Sequence, residues 1–462
     1  MTRKIFISFL GTNNYVECKY SIDGEASSPV RFIQEALIER LCREWTEEDR
    51  ILIFCTSRET TGEKGSKEFN WLDNGHERIS DESEKIGLEH RLLDLQNRIG
   101  LKSTIEQFDI EAGFTEDEIW GIFNTVYSKL QPNDEIYFDV THALRSIPLF
   151  SIVLFNYSKF MKGTQLKSIH YGAFEQLGPA FKVKEMPMEQ RIAPVIDLTN
   201  IARLQEYNQI ASGLKNFGKV KRLKEVIMGG GNAYPDQTIA NLCKSISELD
   251  EYIATINLRE IEKGNFIANF RNILKSVRKR KDIAAPIKNI LNELNRETED
   301  FVSQKDYKNI EAAINWTIKH DMLMQAYPLA AEYIIHQISV KFCGKKPKEL
   351  SNKQFRMFVG AIIGMSEEDF KSPENWKGDV AEHVDVAKEI ADDSLIKEIR
   401  QLYAPIREAR NSLAHGNGTI KYADLQNGIQ NIIECLQYLN PNYKEYPSTK
   451  YVIENYGIRL GC

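Results

Sequence analysis

The segment Arg410-Asn411-Ser412-Leu413-Ala414-His415 combines side chains that suit cleavage of RNA without a metal ion. Such cleavage needs a base for the 2′-hydroxyl proton, a cation beside the crowded phosphorane, and an acid for the leaving 5′-oxygen. Histidine can act as base or acid near neutral pH, and arginine is a permanent cation. An asparagine can donate to a phosphate oxygen or orient the imidazole. We therefore take Arg410, Asn411 and His415 as candidate catalytic residues.

The same motif has a structural interpretation, because Gly416 follows His415. A histidine at a helix C-terminus is stabilised by the helix dipole without any catalytic role. Residues five apart on an α-helix point about 140° away from each other, although a helix end at this position would relax that geometry. One Arg–His pair supplies only one histidine for two proton transfers. This favours a homodimer in which two such pairs share one cleft. Glu332 is a further candidate to support the site.

A second constellation is expected where a strand ends and a helix begins, at Asp139-Val140-Thr141-His142-Ala143-Leu144-Arg145-Ser146. Ligands of open parallel sheets bind beyond the carboxyl ends of the strands. Helix N-terminal amides attract anions there, and hydroxyl and guanidinium groups add donors for phosphate. The loop Gly11-Thr12-Asn13-Asn14-Tyr15, after the first strand, should lie at the same edge. The pattern indicates a nucleotide site; the alternative is that Asp139 and Thr141 only cap the helix.

The overall composition is that of a globular protein rather than of a nucleic-acid-binding domain with a large basic surface. The chain has 462 residues, a length that predicts two domains and leaves room for a connecting segment. Of these residues 42% are hydrophobic and 27% charged. The formal net charge is −6, so any RNA or nucleotide site must be a local basic pocket. Seven scattered cysteines without a C-x-x-C pair indicate reduced thiols. With neither a signal peptide nor a spanning segment evident, we expect a soluble, cytoplasmic protein.

Alternating apolar runs and amphipathic stretches predict an open parallel sheet over roughly residues 1–190. After Pro194 helical periodicity dominates, which predicts an all-α second half to about residue 440. Residues 59–79 are polar and contain glycine, and we expect a loop or insertion there. The predicted strands are residues 5–10, 51–55, 104–108, 135–140 and 168–174, and the predicted helices are residues 30–44, 89–97, 115–130 and a long one from about 148.

Four segments of the N-terminal half resemble, in the same order, those of the CRISPR-associated CARF–HEPN ribonucleases of type III systems. They are Ile7-Ser8-Phe9-Leu10-Gly11-Thr12, Asp139-Val140-Thr141-His142 through Arg145-Ser146-Ile147-Pro148, Tyr171-Gly172-Ala173-Phe174-Glu175 and Asp197-Leu198-Thr199. With Arg410–His415 the resemblance covers nearly the whole chain. It implies a Rossmann-like CARF sensor over residues 1–190, a helical connecting region over 191–300 and an all-α HEPN ribonuclease over 301–462.

The resemblance also implies what the protein does. The expectation is a homodimeric endoribonuclease of antiviral defence that cyclic oligoadenylate activates and that cuts single-stranded RNA, leaving 2′,3′-cyclic phosphate ends. It would need no metal and no cofactor, and cyclic tetra-adenylate is favoured over cyclic hexa-adenylate as activator. Two sensor domains would form one ligand pocket on the dyad. By position, the ligand-binding residues are Gly11, Thr12, Asn13, Asn14, Tyr15, Thr141, His142, Ala143, Arg145 and Ser146.

Two rival functions are compatible with the same sensor. The protein could be a ligand-sensing regulator, or a ring nuclease that degrades cyclic oligoadenylate while the Arg410–His415 motif is structural. Slow ring-nuclease activity could also accompany RNA cleavage. One residue departs from the family pattern, because Ala143 stands where the family often has glycine, and close backbone approach to a phosphate is in doubt there.

Overall fold

The computed structural model describes residues 2–73, 86–142, 146–202, 204–219, 237–283, 285–416, 420–443 and 454. Ala143 and Arg145 therefore lie outside the described residues, and the side chain of Ser146 is not described either. The chain divides into two compact units, Met1–Gln205 and Glu206–Cys462. No helix among the described residues is long and apolar enough to cross a membrane.

The first unit is built on one eight-stranded sheet in the order β3-β2-β8-β7-β6-β1-β4-β5. Strands β1 and β4 are almost entirely buried, as expected for apolar strands in the interior of a parallel sheet. The strands are β1 Lys4–Leu10, β2 Lys19–Ile22, β3 Glu25–Ala26, β4 Arg50–Thr56, β5 Thr104–Ile110, β6 Glu135–Asp139, β7 Gln165–Gly172 and β8 Ile192–Asp197.

The sheet is mixed, which corrects the prediction of a purely parallel one. Strands β7, β6, β1, β4 and β5 are all parallel, but β8 pairs antiparallel with β7. Strand β2 then pairs parallel with β8 and antiparallel with β3. Neither β2 nor β8 was predicted: β2 is short and has no apolar run, and the apolar run of β8 contains Pro194, which argues against a strand.

The parallel strands have a topological switch point at β1. From β1 the chain moves to β4 and β5 on one side and then returns to β6 on the other side of β1. Ser8 of β1 is directly opposite Asp139 of β6 in this register. The loops that follow β1 and β6 therefore leave the same edge of the sheet side by side, as an α/β ligand site requires.

Helices and short helical turns connect the strands of the first unit. Of the loop or insertion predicted for residues 59–79, the described part, residues 59–73, contains a short helix and a π-helical turn; residues 74–79 lie outside the described residues. The α-helices are Ile33–Leu41, Arg58–Thr61, Leu88–Ile99, Glu116–Lys129, Ser146–Lys162, Ala180–Glu185 and Thr199–Ala202; the π-helix is Lys67–Trp71, and the 3-10 helices are Phe174–Leu177 and Met188–Gln190.

The second unit is helical throughout its described residues, as the sequence predicted. Its α-helices are Leu204–Phe217 (which begins just before the boundary), Gln237–Ala254, Leu258–Lys263, Asn265–Val277, Ala285–Glu297, Lys308–Lys319, Leu323–Lys341, Asn352–Ile363, Glu367–Lys371, Asp379–Glu382, Val384–Ala391, Ser394–His415 and Tyr422–Leu439; its 3-10 helices are Cys343–Lys345 and Pro373–Asn375.

The observed units end at different places from the predicted domains. Strand β8 belongs to the sheet although it follows residue 190, so the sheet unit extends beyond the predicted sensor. The helices of residues 206–300 share one hydrophobic core with those that follow, from Tyr207 to Tyr443. The structure therefore gives no separate compact unit over residues 191–300.

Two helices of the second unit contain an interior proline. Pro328 lies within Leu323–Lys341 and Pro405 within Ser394–His415. A proline has no N–H for the bond to the carbonyl four residues earlier, so each helix lacks one backbone hydrogen bond. Glu332 follows the first proline by one turn, and Arg410 follows the second by little more than one.

Candidate functional site

The loop after β1 is held in place by a residue of the π-helix. The fully buried Asn70 donates from Nδ2 to the carbonyl oxygens of Gly11, at 2.7 Å, and Asn13, at 2.9 Å. A Cβ atom at Gly11 would collide with the Tyr15 hydroxyl and lie 2.9 Å from the carbonyl oxygen of His142. The close approach of the two loops therefore requires glycine at this position.

The switch point contains a fully buried carboxylate, Asp139. Its Oδ2 accepts a hydrogen bond from Ser8 Oγ at 2.8 Å, and its Oδ1 accepts from the backbone N–H and the hydroxyl of Thr141 at 3.0 and 2.6 Å. Burial raises the pKa of Asp139, and these hydrogen bonds oppose that shift. The Thr141 hydroxyl also accepts from the Gly172 N–H at 2.9 Å. Thr141 therefore joins β6 to β7, and its one hydroxyl proton is already donated.

Two aromatic rings connect the loops. The rings of Tyr15 and His142 lie 4.0 Å apart between centroids, at an interplanar angle of 34°. Part of His142 reaches the surface, but its Nε2 is enclosed and has no hydrogen-bond partner among the described residues. Burial lowers the pKa of His142 to about 3 and raises that of Tyr15. Both rings are therefore neutral near pH 7, and they offer stacking surface rather than charge.

A cavity of about 410 Å³ opens between these loops and the end of β7. Its walls combine amides, aromatic rings, a cation and a carboxylate, which suits a polar ligand with flat apolar parts. Tyr171 donates to Glu175 Oε1 at 2.7 Å, and burial together with this bond raises the pKa of Tyr171 to about 12. The lining residues are Asn13, Asn14, Tyr15, Val16, Tyr20, Arg31, Thr141, His142, Tyr171, Gly172, Phe174, Glu175 and Ala180.

Arg31 is the cationic group of this cavity, and sequence reasoning missed it. The residue is only 5% exposed. Its Nη1 lies 3.2 Å from Asp73 Oδ2, while its Nε has no hydrogen-bond partner among the described residues. A buried guanidinium with a spare N–H is a potential anion-binding group. No sequence motif identifies Arg31, because it lies between β3 and the next helix and reaches the cavity only through the tertiary fold.

The structure brings part of the predicted ligand set together. Five predicted residues line the cavity: Asn13, Asn14, Tyr15, Thr141 and His142. Gly11 and Thr12 are absent from its lining, and Gly11 instead allows the loops to approach each other. Their assignment as ligand-binding residues stays a prediction.

The predicted catalytic motif occupies the last turn and a half of the helix Ser394–His415. The helix ends at His415, and Gly416 follows in the left-handed conformation with φ of 64°. Arg410 and His415 therefore remain on a regular helix and point about 140° apart. Asn411 Oδ1 accepts a hydrogen bond from Arg410 Nη1 at 3.1 Å, whereas His415 is exposed. One chain does not direct both side chains toward one point.

Arg410 belongs to a cluster of charged side chains with Glu332 and Arg356. Glu332 Oε1 accepts from Arg410 Nη2 at 3.3 Å, and its Oε2 accepts from Arg356 Nη2 at 2.9 Å. Glu332 had been a candidate to support the site, and it contacts the predicted catalytic arginine directly. Arg356 was not predicted, because nothing in the sequence links residue 356 to residue 410. Among the described residues, no group of three or more acidic, histidine or cysteine side chains could hold a metal ion.

The chain is similar to a curated CRISPR-associated protein and to a solved structure. No family model matches the chain. The CRISPR-associated protein MJ1674 of Methanocaldococcus jannaschii is 23% identical over 341 residues, which are 72% of this chain and 46% of that protein. The chain thus spans about half the length of the curated relative.

The solved structure is Enterococcus italicus Csm6 bound to cyclic hexa-2′-fluoro-hexa-dAMP. It is similar with a TM-score of 0.46 and 11% identity, covering 99% of this chain and 100% of that one. The similarity to MJ1674 agrees with the resemblance to CRISPR-associated proteins that the sequence motifs indicated.

Proposed function

We propose that the protein is an endoribonuclease of type III CRISPR defence that cyclic oligoadenylate activates and that needs no metal ion. The observation that carries this proposal is the hydrogen-bonded cluster of Arg410, Asn411 and Glu332 one turn before an exposed histidine at a helix end. Arginine supplies the cation for the phosphorane, and His415 supplies the proton transfers. The sequence relationship to a CRISPR-associated protein supports the same biological setting.

In this proposal the first unit is the CARF sensor and its cavity binds the activator. Aromatic rings stack on adenines, while Arg31 and the loop amides contact phosphates. The cavity volume of about 410 Å³ is near the lower end of the range for small-molecule sites. A ring of four or six nucleotides needs more space than that, so two copies of the cavity would have to face each other. Cyclic tetra-adenylate remains the favoured activator, from family resemblance alone.

An exposed apolar surface on the first unit supports a homodimer. It lies on the helices Glu116–Lys129 and Ser146–Lys162, where Trp120 is 55% and Phe160 62% exposed. Phe123 links the two helices, because its ring lies 5.5 Å from those of Trp120 and Tyr157. Exposed apolar surfaces of this kind mark interaction sites. A second copy is the expected occupant, because the 140° separation of Arg410 and His415 leaves one chain with half a catalytic site.

In the cleavage reaction the 2′-hydroxyl oxygen attacks the adjacent phosphorus, and the bond from phosphorus to the 5′-oxygen breaks. One His415 would take the 2′-hydroxyl proton, and the partner subunit's His415 would protonate the leaving 5′-oxygen. The products are a 2′,3′-cyclic phosphate and a 5′-hydroxyl. Activation would follow from a higher affinity of the ligand for the dimer arrangement in which the two sites are competent.

The test is cleavage of labelled single-stranded RNA in EDTA, with and without cyclic tetra-adenylate or cyclic hexa-adenylate. We expect one ring to stimulate cleavage, and His415→Ala to abolish it while the variant still binds that ring. His90→Ala, at a histidine whose side chain is 62% exposed, is the matched control and should cleave like the wild type. Cleavage retained in His415→Ala would reject the catalytic assignment. Ring degradation without RNA cleavage would favour the ring nuclease, and ligand binding without either reaction would favour a regulator.

A further inference from the structure

From the shared carboxylate of Glu332 we propose that Arg356 is a second phosphate-binding residue of the RNA site, contacting a phosphate beside the one that is cleaved. This proposal rests on the proposed ribonuclease function and extends its substrate contacts. Arg356 and Arg410 come from different helices, Asn352–Ile363 and Ser394–His415, and both helices pack against Leu323–Lys341, which carries Glu332. The fold therefore places two permanent cations on one carboxylate.

The cluster of Arg356, Arg410 and Glu332 carries a net positive charge and is partly exposed to solvent. One carboxylate neutralises one of the two guanidinium groups, so a net charge of about +1 remains. The side chains are neither fully buried nor fully exposed: Arg356 is 38%, Arg410 41% and Glu332 33% exposed. Partly exposed ion pairs contribute little to folding stability. Folding alone thus gives little reason to bring a second arginine to Glu332.

The guanidinium of Arg356 has N–H groups that the described contacts of the fold do not use. Only its Nη2 donates to Glu332. Its Nε is enclosed and has no hydrogen-bond partner among the described residues, so the partly exposed Nη end is the part that a phosphate can reach. A guanidinium carries five N–H groups in a planar fork that matches two phosphate oxygens. His336, one turn after Glu332, adds no competing charge, because burial and then the charge of Arg356 lower its pKa.

A second substrate phosphate, bound by Arg356, accounts for both the net positive charge of the cluster and the unused N–H groups of Arg356. Arg410 has to face the reacting phosphate, so a cation fixed to the same carboxylate lies within reach of a neighbouring phosphate on the strand. Such a contact holds the strand in register while Arg410 and His415 act on one bond. Glu332 keeps the two guanidinium groups at a constant spacing although like charges repel.

The experiment measures RNA binding by fluorescence anisotropy in the His415→Ala background, with activator present and salt varied from about 50 to 200 mM. Removing one phosphate contact on a single strand lowers the slope of log affinity against log salt by about 0.7. We expect that change with Arg356→Gln, together with a roughly tenfold weaker affinity. In otherwise wild-type protein, Arg356→Gln should raise KM for RNA and leave kcat within about threefold. Lys397→Gln is the control, because Lys397 is exposed and lies about 20 Å from Arg410 along the same helix.

A second measurement needs no substitution at Arg356. Phenylglyoxal modification of Arg356 should be slower when RNA is bound to the His415→Ala protein, while Arg296, with a 65% exposed side chain, should react equally with and without RNA. Unchanged KM and salt slope in Arg356→Gln, or equal modification with and without RNA, would overturn the proposal, as would a fall in kcat alone. Each of these outcomes would reject only the role of Arg356. The ribonuclease assignment would stand if the wild type cleaves RNA and His415→Ala does not. Absence of RNA cleavage and binding in the wild type would reject both.

Discussion

Thr141 has two possible roles in activator binding: it contacts the activator directly, or it joins strands β6 and β7 beside the cavity. Replacing Thr141 by valine distinguishes these roles. The hydroxyl donates to Asp139 Oδ1 at 2.6 Å and accepts from the Gly172 N–H at 2.9 Å. Valine has nearly the same shape but makes neither bond. A hydrogen bond to a charged group contributes about 1.5–3 kcal/mol, and an unsatisfied N–H costs about 1–3 kcal/mol. Because both effects share one hydroxyl, we expect a combined local destabilisation of about 2–4 kcal/mol.

Amide hydrogen exchange of peptides that cover β6 and β7 measures this change where it occurs. A loss of about 2–4 kcal/mol corresponds to exchange roughly 30- to 700-fold faster, if opening remains local. Thr141→Ser keeps the hydroxyl and should exchange nearly like the wild type. Affinity for cyclic tetra-adenylate should fall together with protection in Thr141→Val and recover in Thr141→Ser. Weak affinity with wild-type exchange in the valine variant would refute this reasoning and assign Thr141 to direct ligand contact.

Three further predictions concern the two sites. Gly11→Ala should weaken activator binding roughly tenfold, because its Cβ meets Tyr15 and His142, and equal affinity by calorimetry would contradict the close approach of the loops. Since the pKa of His142 falls to about 3 on folding, the unfolded chain binds a proton below about pH 6.5 that the folded chain does not. The free energy of unfolding therefore decreases as pH falls from about 6.5 toward 3. His142→Phe should flatten this pH dependence by up to about 1.4 kcal/mol per pH unit, measured by denaturant unfolding. An unchanged pH dependence would contradict a neutral His142 ring in the folded protein. Glu332→Gln should lower the single-turnover cleavage rate roughly tenfold without raising KM for RNA, since Arg410 loses its anchor but the site becomes more positive. An unchanged rate would show that Glu332 does not hold Arg410.

The sequence predicted the structure best where a local residue pattern and a general rule of protein folds gave the same result. The strands at residues 5–10 and 135–140 are short and rich in apolar residues. The rule for parallel sheets then placed the loops that follow them at one edge. Asn13 and Thr141, far apart in the chain, do line one cavity. The helix end at His415 was likewise foreseeable from Gly416, which adopts the left-handed conformation there.

The residues that the sequence did not reveal act through long-range contacts. Asn70 holds the first loop from a segment that was predicted as loop or insertion, and Arg31 reaches the cavity from outside any motif. Arg356 meets Glu332 only because three helices pack together. Strand β8 carries Pro194 and is half exposed, so neither periodicity nor burial distinguished it from a loop. Such contacts join residues that are far apart in the chain, so no local sequence pattern predicts them.

The prolines inside two helices affect how the cluster of Glu332 and Arg410 can move. Pro328 and Pro405 each remove one hydrogen bond about one turn before Glu332 and Arg410. A helix bends most easily where such a bond is missing. The helical segments after the two prolines, which carry these side chains, can therefore tilt as rigid units while the remaining hydrogen bonds stay intact. Two such bending points in neighbouring helices would let the ion pair move as one body, so its internal geometry need not be rebuilt when the helices shift.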